Sequence, residues 1–109
     1  MLPNELLGCY FNRMVGRLYK ILPLKETEEE TVDKYLDSLL SELLGVEAVS
    51  ELNQQPYYVS IVGIVSFLSD NITSCSTSKV KRDVFRAINL CKKLESLYTE
   101  GMYAGGDTE

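Results

Sequence analysis

Apolar residues recur along most of this chain at intervals of three and four, the spacing that aligns side chains on one face of an α-helix. The first such run is Leu7, Tyr10, Phe11, Met14, Leu18, Ile21 and Leu22. It predicts a helix over about 3–22. Pro3 suits the opening turn, where its missing N–H is not needed, and Pro23 closes the run. Asn12, Arg13, Arg17 and Lys20 fall mostly on the other side. Gly8 and Gly16 each cost roughly 1 kcal/mol relative to Ala inside a helix. With Asn12 between them they form a narrow stripe against which a neighbouring helix can lie closely.

The second run is the clearest. Val32, Tyr35, Leu36, Leu39, Leu40 and Leu43 repeat with helical spacing over three turns. Thr27 and Glu30 are spaced as a capping box, and Glu28, Glu29 and Glu30 occupy a first turn, where the helix dipole favours negative charge. Gly45 suits the left-handed position that follows a last turn. A helix over about 28–44 is therefore expected, with a possible short helix near 46–53.

Pro56 opens a third helix over about 56–71. Tyr58, Val59, Ile61, Val62, Ile64, Val65, Phe67 and Leu68 leave it apolar on nearly every side, the pattern of a helix buried among its neighbours. The β-branched content also permits a strand. The run is long, however, and no second strand candidate exists to pair with it. Ile72–Ser78 is a polar connection, with Ser76 or Ser78 as the cap of a last helix over about 78–98. Val80, Val84, Ala87, Ile88, Cys91 and Leu94 share one face of that helix. The expected fold is all-α: four main helices in a compact bundle or orthogonal array, the third central and mostly antiparallel neighbours around it. Residues 1–98 form the single domain, and 99–109 read as a flexible acidic tail.

The composition narrows the chemistry. A chain of 109 residues, 45% of them hydrophobic, suits one domain with one core. It contains no His, which removes the commonest general acid–base and the commonest metal ligand at neutral pH. Its three cysteines, Cys9, Cys75 and Cys91, are odd in number and lack a CxxC spacing, so reduced thiols are expected rather than disulfides or a zinc site. The start has no basic segment followed by an apolar run. The apolar stretch Tyr57–Leu68 falls short of the roughly 20 residues that span a bilayer. A cytoplasmic protein with no membrane partner is expected. There is no Gly-rich phosphate loop, no EF-hand loop and no Glu-x-x-His pair. No catalytic residue, cofactor or metal ligand is assigned, and an enzyme is not expected.

A net charge of −5 conceals a sorting of charge along the chain. Residues 26–55 carry nine acids against Lys34 alone, and 79–98 carry six bases against Asp83 and Glu95. Residues 1–25 hold Arg13, Arg17, Lys20 and Lys25 against Glu5. Three candidate interaction surfaces follow. The acidic row Glu26, Glu30, Asp33 and Asp37 suits a basic partner, though acids near a helix start also arise for dipole reasons alone. The basic row Lys79, Arg82, Arg86 and Lys93 suits an acidic partner or a phosphate backbone, though it also reads as the solvated side of an amphipathic helix. A pI near 4.7 counts against nucleic acid. Tyr57 and Tyr58 can anchor a partner or pack at the edge of the core. The expected function is a small non-enzymatic interaction or assembly protein. Its expected partner is a protein, either a foreign one or another copy of itself; in the second case acidic and basic rows meet in trans in a homodimer or larger ring. The alternative is a nucleic-acid-associated accessory factor using the basic row. The general character is that of a bacterial or phage accessory protein.

Overall fold

A computed structural model describes residues 4–27, 29–50 and 52–99, without the side chains of 4, 5, 29, 49, 50 and 99. Pro3, Glu28 and, beyond Thr99, the expected tail lie outside the described residues. The elements are α1 (Asn4–Tyr19), α2 (Ile21–Thr27), α3 (Glu29–Ser50), a 3-10 turn (Leu52–Gln54), α4 (Pro56–Asn71) and α5 (Thr77–Thr99). The fold is all-α, as expected.

Contacts between helices fix their directions. Phe11 stacks on Tyr98 at 5.8 Å and Tyr19 meets Phe85 at 5.8 Å, so α1 and α5 run antiparallel. Lys79 sits over Phe67 and Lys93 over Tyr57, which makes α4 and α5 antiparallel. Ser69 bonds Asp37 and Tyr58 bonds the Leu43 carbonyl, which does the same for α3 and α4. Arg17 pairs with Glu42, and the Tyr35 hydroxyl donates to the Arg17 carbonyl at 2.7 Å, which closes the ring between α1 and α3. The result is an up-down-up-down four-helix bundle with circumferential order α1, α3, α4, α5. The short α2 packs on α3 and α5. Its buried Lys25 donates to the Ile72 carbonyl at 2.7 Å, placing a cation at the C-terminal end of α4.

One continuous core joins the four helices. Phe11, Leu18, Leu36, Leu39, Tyr58, Ile61, Leu68, Val84 and Leu94 are essentially inaccessible. Each aliphatic or aromatic side chain so buried contributes about 1.5–3 kcal/mol of transfer free energy. The predicted faces of all four helices supply this core.

The boundaries differ from expectation in instructive places. The first helix does not run to Leu22; it breaks at Lys20, and Pro23 lies in the first turn of α2. A proline removes the bond to the carbonyl four residues back and crowds it. Here that residue is Tyr19, the last of α1. Lys20 still donates to the Gly16 carbonyl at 3.3 Å and Leu24 to Lys20 at 3.4 Å, so the chain bends and continues. The second helix does not stop at Gly45. Gly45 lies inside α3 without the positive φ of a terminating glycine. The separate helix near 46–53 is replaced by the end of α3 and the 3-10 turn. Continuing the helix brings Val46 against the core, and Leu52 is then buried, which together outweigh the propensity cost of one glycine. The Thr27 hydroxyl donates back to the Pro23 carbonyl at 2.7 Å, within α2.

The third helix spans the predicted residues, but it is not central. As α4 it occupies a corner of the bundle, and Val59 and Phe67 remain 47% and 44% exposed. The stripe of Gly8, Asn12 and Gly16 has a neighbour over part of its length. Asn12 donates to Glu95 of α5 at 2.8 Å, whereas a Cβ at Gly16 would meet nothing within 4 Å. Ser76 is the cap of α5, its Oγ accepting from the Lys79 N–H at 3.1 Å.

Three substitutions check these boundaries by equilibrium urea unfolding. Gly45→Ala is expected to stabilise the protein by about 1 kcal/mol, since a Cβ there meets open space inside a helix; a terminating glycine would give the opposite sign. Ser76→Ala is expected to cost about 1 kcal/mol, and Ser78→Ala less than about 0.5 kcal/mol.

Candidate interaction faces

The basic row emerges from the side of α5 next to α4. Residues 79, 86 and 93 are seven apart, two helical turns, so they return to one side. The Lys79 ammonium lies 5.2 Å from the Phe67 ring centre, and that of Lys93 lies 5.4 Å from the Tyr57 ring centre. Both rings belong to α4, and such stacking holds a cation over an aromatic face. Lys79 also spans both oxygens of Asp83, at 3.1 and 3.3 Å. Asp83 is buried, and this pairing stabilises its carboxylate. Arg82 and Arg86 are exposed and, like Lys93, have no carboxylate partner among the described residues.

Between α4 and α5 lies an open groove of about 550 Å³, lined by Ser60, Gly63, Ile64, Phe67, Arg86 and Leu90 among others. Its floor is apolar and its α5 rim is basic. The sequence reading found the rim but not the floor. The available signal was the all-round apolarity of α4, which leaves one side uncovered once another side faces the core.

The acidic row is split between two helices, with Glu26 in α2 and Glu30, Asp33 and Asp37 in α3. All four are exposed. Asp37 accepts from Ser69 of α4 at 2.5 Å, which fixes the side of α3 that adjoins α4. By helical spacing Asp33 and the exposed Leu44 share that side. No member of the acidic row pairs with the basic row among the described residues, because α4 stands between them. Nor do the described residues contain a group of three or more Cys, Asp or Glu able to hold a metal ion. Two adjoining faces of the bundle therefore share α4 as their common edge. The α3–α4 face is acidic with apolar Leu44 and Val59; the α4–α5 face is basic with apolar Phe67.

The two adjacent tyrosines separate. Tyr57 is exposed on the α4–α5 face under Lys93. Tyr58 is wholly buried, donates to the Leu43 carbonyl at 2.6 Å and packs edge-on to Phe11. Tyr58 belongs to the core and cannot contact a partner.

A polar seam between α1 and α3 was not foreseen. Arg17 and Glu42 form an ion pair there, each about one-third exposed, beside a cavity of about 220 Å³ lined by Tyr10, Arg13, Met14, Arg17 and Glu42. The Tyr10 hydroxyl is buried and meets no hydrogen-bond partner among the described residues. Burial, then the neighbouring Tyr58 and Glu42, drives its pKa well above the ordinary 10.0. Burial, then Glu47, does the same for Tyr58. Burial, then Glu95, pushes the Cys91 thiol up to about 12, so it stays protonated and is a poor nucleophile at neutral pH.

These three groups keep their protons when folded at pH values where the unfolded chain, with ordinary values of 9.0 for Cys and 10.0 for Tyr, has begun to lose them. Their contribution to stability is full below those values and is lost as pH rises through and above them. The midpoint of thermal unfolding is expected to hold near neutral pH and to fall beyond about pH 9 to 10. Tyr58→Phe should flatten the fall. In a thiol titration of the native protein, exposed Cys9 should react fast and Cys91 only on unfolding.

The chain matches no known protein family, no curated protein and no solved structure.

Proposed function

We propose that this chain is a small non-enzymatic assembly protein that associates with further copies of itself through its opposed charged faces. The observation that carries the reading is the placement of the two rows. They lie on adjoining faces, separated by α4, and among the described residues no member of one row pairs with a member of the other. Exposed Val59, Phe67 and Leu44 supply apolar contact area on the same faces, and charge complementarity supplies orientation and partner choice. A non-enzymatic role is consistent with a sequence that has no His and with a buried, protonated Cys91.

A second reading, a nucleic-acid accessory factor, draws on Arg82, Arg86 and Lys93, which have no carboxylate partner among the described residues. It is weaker, because the basic surface is confined largely to one side of α5 on a chain of net charge −5. It requires binding that weakens steeply with salt.

Light scattering after size exclusion of nuclease-treated protein tests the first reading. An assembly larger than a monomer at low salt, partly dissociated at high salt, is expected. The double reversal Arg82→Glu, Arg86→Glu should weaken it by about tenfold or more. A monomer at both salts would overturn self-association, and salt-dependent binding of a nucleic acid by that monomer would favour the second reading.

A further inference from the structure

We infer that the copies join head to tail, the acidic α3–α4 face of one on the basic α4–α5 face of the next, in a closed ring with the α4 helices around its axis. This rests on the self-association reading and specifies its geometry. The two complementary faces are different faces. A twofold dimer places the same patch on itself, so acid would oppose acid or base oppose base on either face. A twofold pairing along the shared α4 edge does no better, since α3 and α5 slope away from that edge on opposite sides. Only a heterologous contact sets the two rows against each other.

The angle between the faces determines closure. They meet along α4, so each contact turns the next copy about that edge. A contact that turns by a constant angle with no shift along the bundle closes into a ring of a small number of copies. In that ring α4 of each copy adjoins α4 of the next, so the exposed ridge of Val59, Gly63 and Phe67 turns inward. Gly63 assists close approach, because it is exposed and a Cβ there would meet nothing of its own chain within 4 Å.

The heights of the charges agree with this arrangement. All copies in a cyclic ring point the same way, so acid and base must sit at matching levels along the bundle. Asp37 lies at the level of Ser69, and Lys79 at the level of Phe67, two residues away on the same helix. Toward the other end Lys93 lies at Tyr57, and Glu47 acts on the adjacent Tyr58. Asp37 is therefore level with the Lys79 end of the next copy's basic row, and Glu47 with its Lys93 end.

Cysteine pairing distinguishes the geometries. With Cys9 and Cys75 replaced by Ser, and Cys91 left buried, exposed uncharged positions on the outer margins of the two faces become Ser41→Cys and Asn89→Cys. Treated with a flexible bismaleimide, the double variant should give a covalent ladder that passes two chains and ends at a fixed small number. Each single variant should give none. A product that stops at two chains, or a single variant that links to itself, would overturn the ring in favour of a twofold dimer while leaving self-association intact. An assembly by light scattering with no linkage in any variant would overturn the ring and not the assembly. A monomer by light scattering would overturn both.

Discussion

A helix at a corner of a four-helix bundle can bury only part of its circumference, and α4 carries apolar residues around most of its own. Tyr58, Ile61, Ile64, Val65 and Leu68 satisfy the core. Val59, Phe67 and Tyr57 are left outside it. Two of these are managed locally, since Lys79 covers part of Phe67 and Lys93 part of Tyr57. The cations of α5 thus have a structural role before any partner arrives: their stems and charges shield aromatic surface that the fold cannot internalise. Val59 has no such cover among the described contacts. The groove beside α4 follows from the same constraint, because Ser60 and Gly63 are too small to fill the space between α4 and α5.

The opposite side of the bundle solves the packing problem differently. The α1–α5 and α3–α4 seams bring their helices close together, whereas α1 and α3 stand further apart and meet through polar groups. Arg17 is the hub. Its guanidinium pairs with Glu42 and its carbonyl accepts from Tyr35. These contacts fix the register of α1 against α3, where a purely apolar seam would permit sliding. The seam leaves a cavity of about 220 Å³ lined in part by Tyr10.

The legible parts of the fold were those set by local chemistry. Pro56 at the first turn and Ser76, one of the two serines offered as a cap, marked two boundaries, because a proline ring and a side-chain cap act within one turn. The illegible parts depended on distant neighbours. Gly45 looks like a terminator in isolation, and only the burial of Leu52 and the docking of Val46 carry the helix past it. Pro23 acts on the carbonyl of Tyr19, so the break falls earlier than the proline itself. The charged rows were legible as spacings, but spacing alone does not say which neighbour a row adjoins. Tyr57 and Tyr58 are identical residues in adjacent positions, and only the rotation of α4 about its axis makes one exposed and the other core. The pairing of Arg17 with Glu42 spans 25 residues and has no sequence signature.

The charge sorting takes on meaning from the topology. In an up-down-up-down bundle each new helix lies beside the previous one, so order along the chain becomes order around the circumference. A chain that reads basic, acidic, apolar, basic then folds into a bundle with the same sequence of surfaces around it. At one seam acid and base are neighbours, and there α1 and α3 join through Arg17 and Glu42 in cis. Around the other way, α3 and α5 are kept apart by the width of α4. Exposed charges separated by more than about 10 Å are largely screened at moderate ionic strength, so these two rows do little for each other within one molecule. The attraction that closes the α1–α3 seam internally is thus left unused on the far side of the bundle, on faces that also carry exposed apolar side chains.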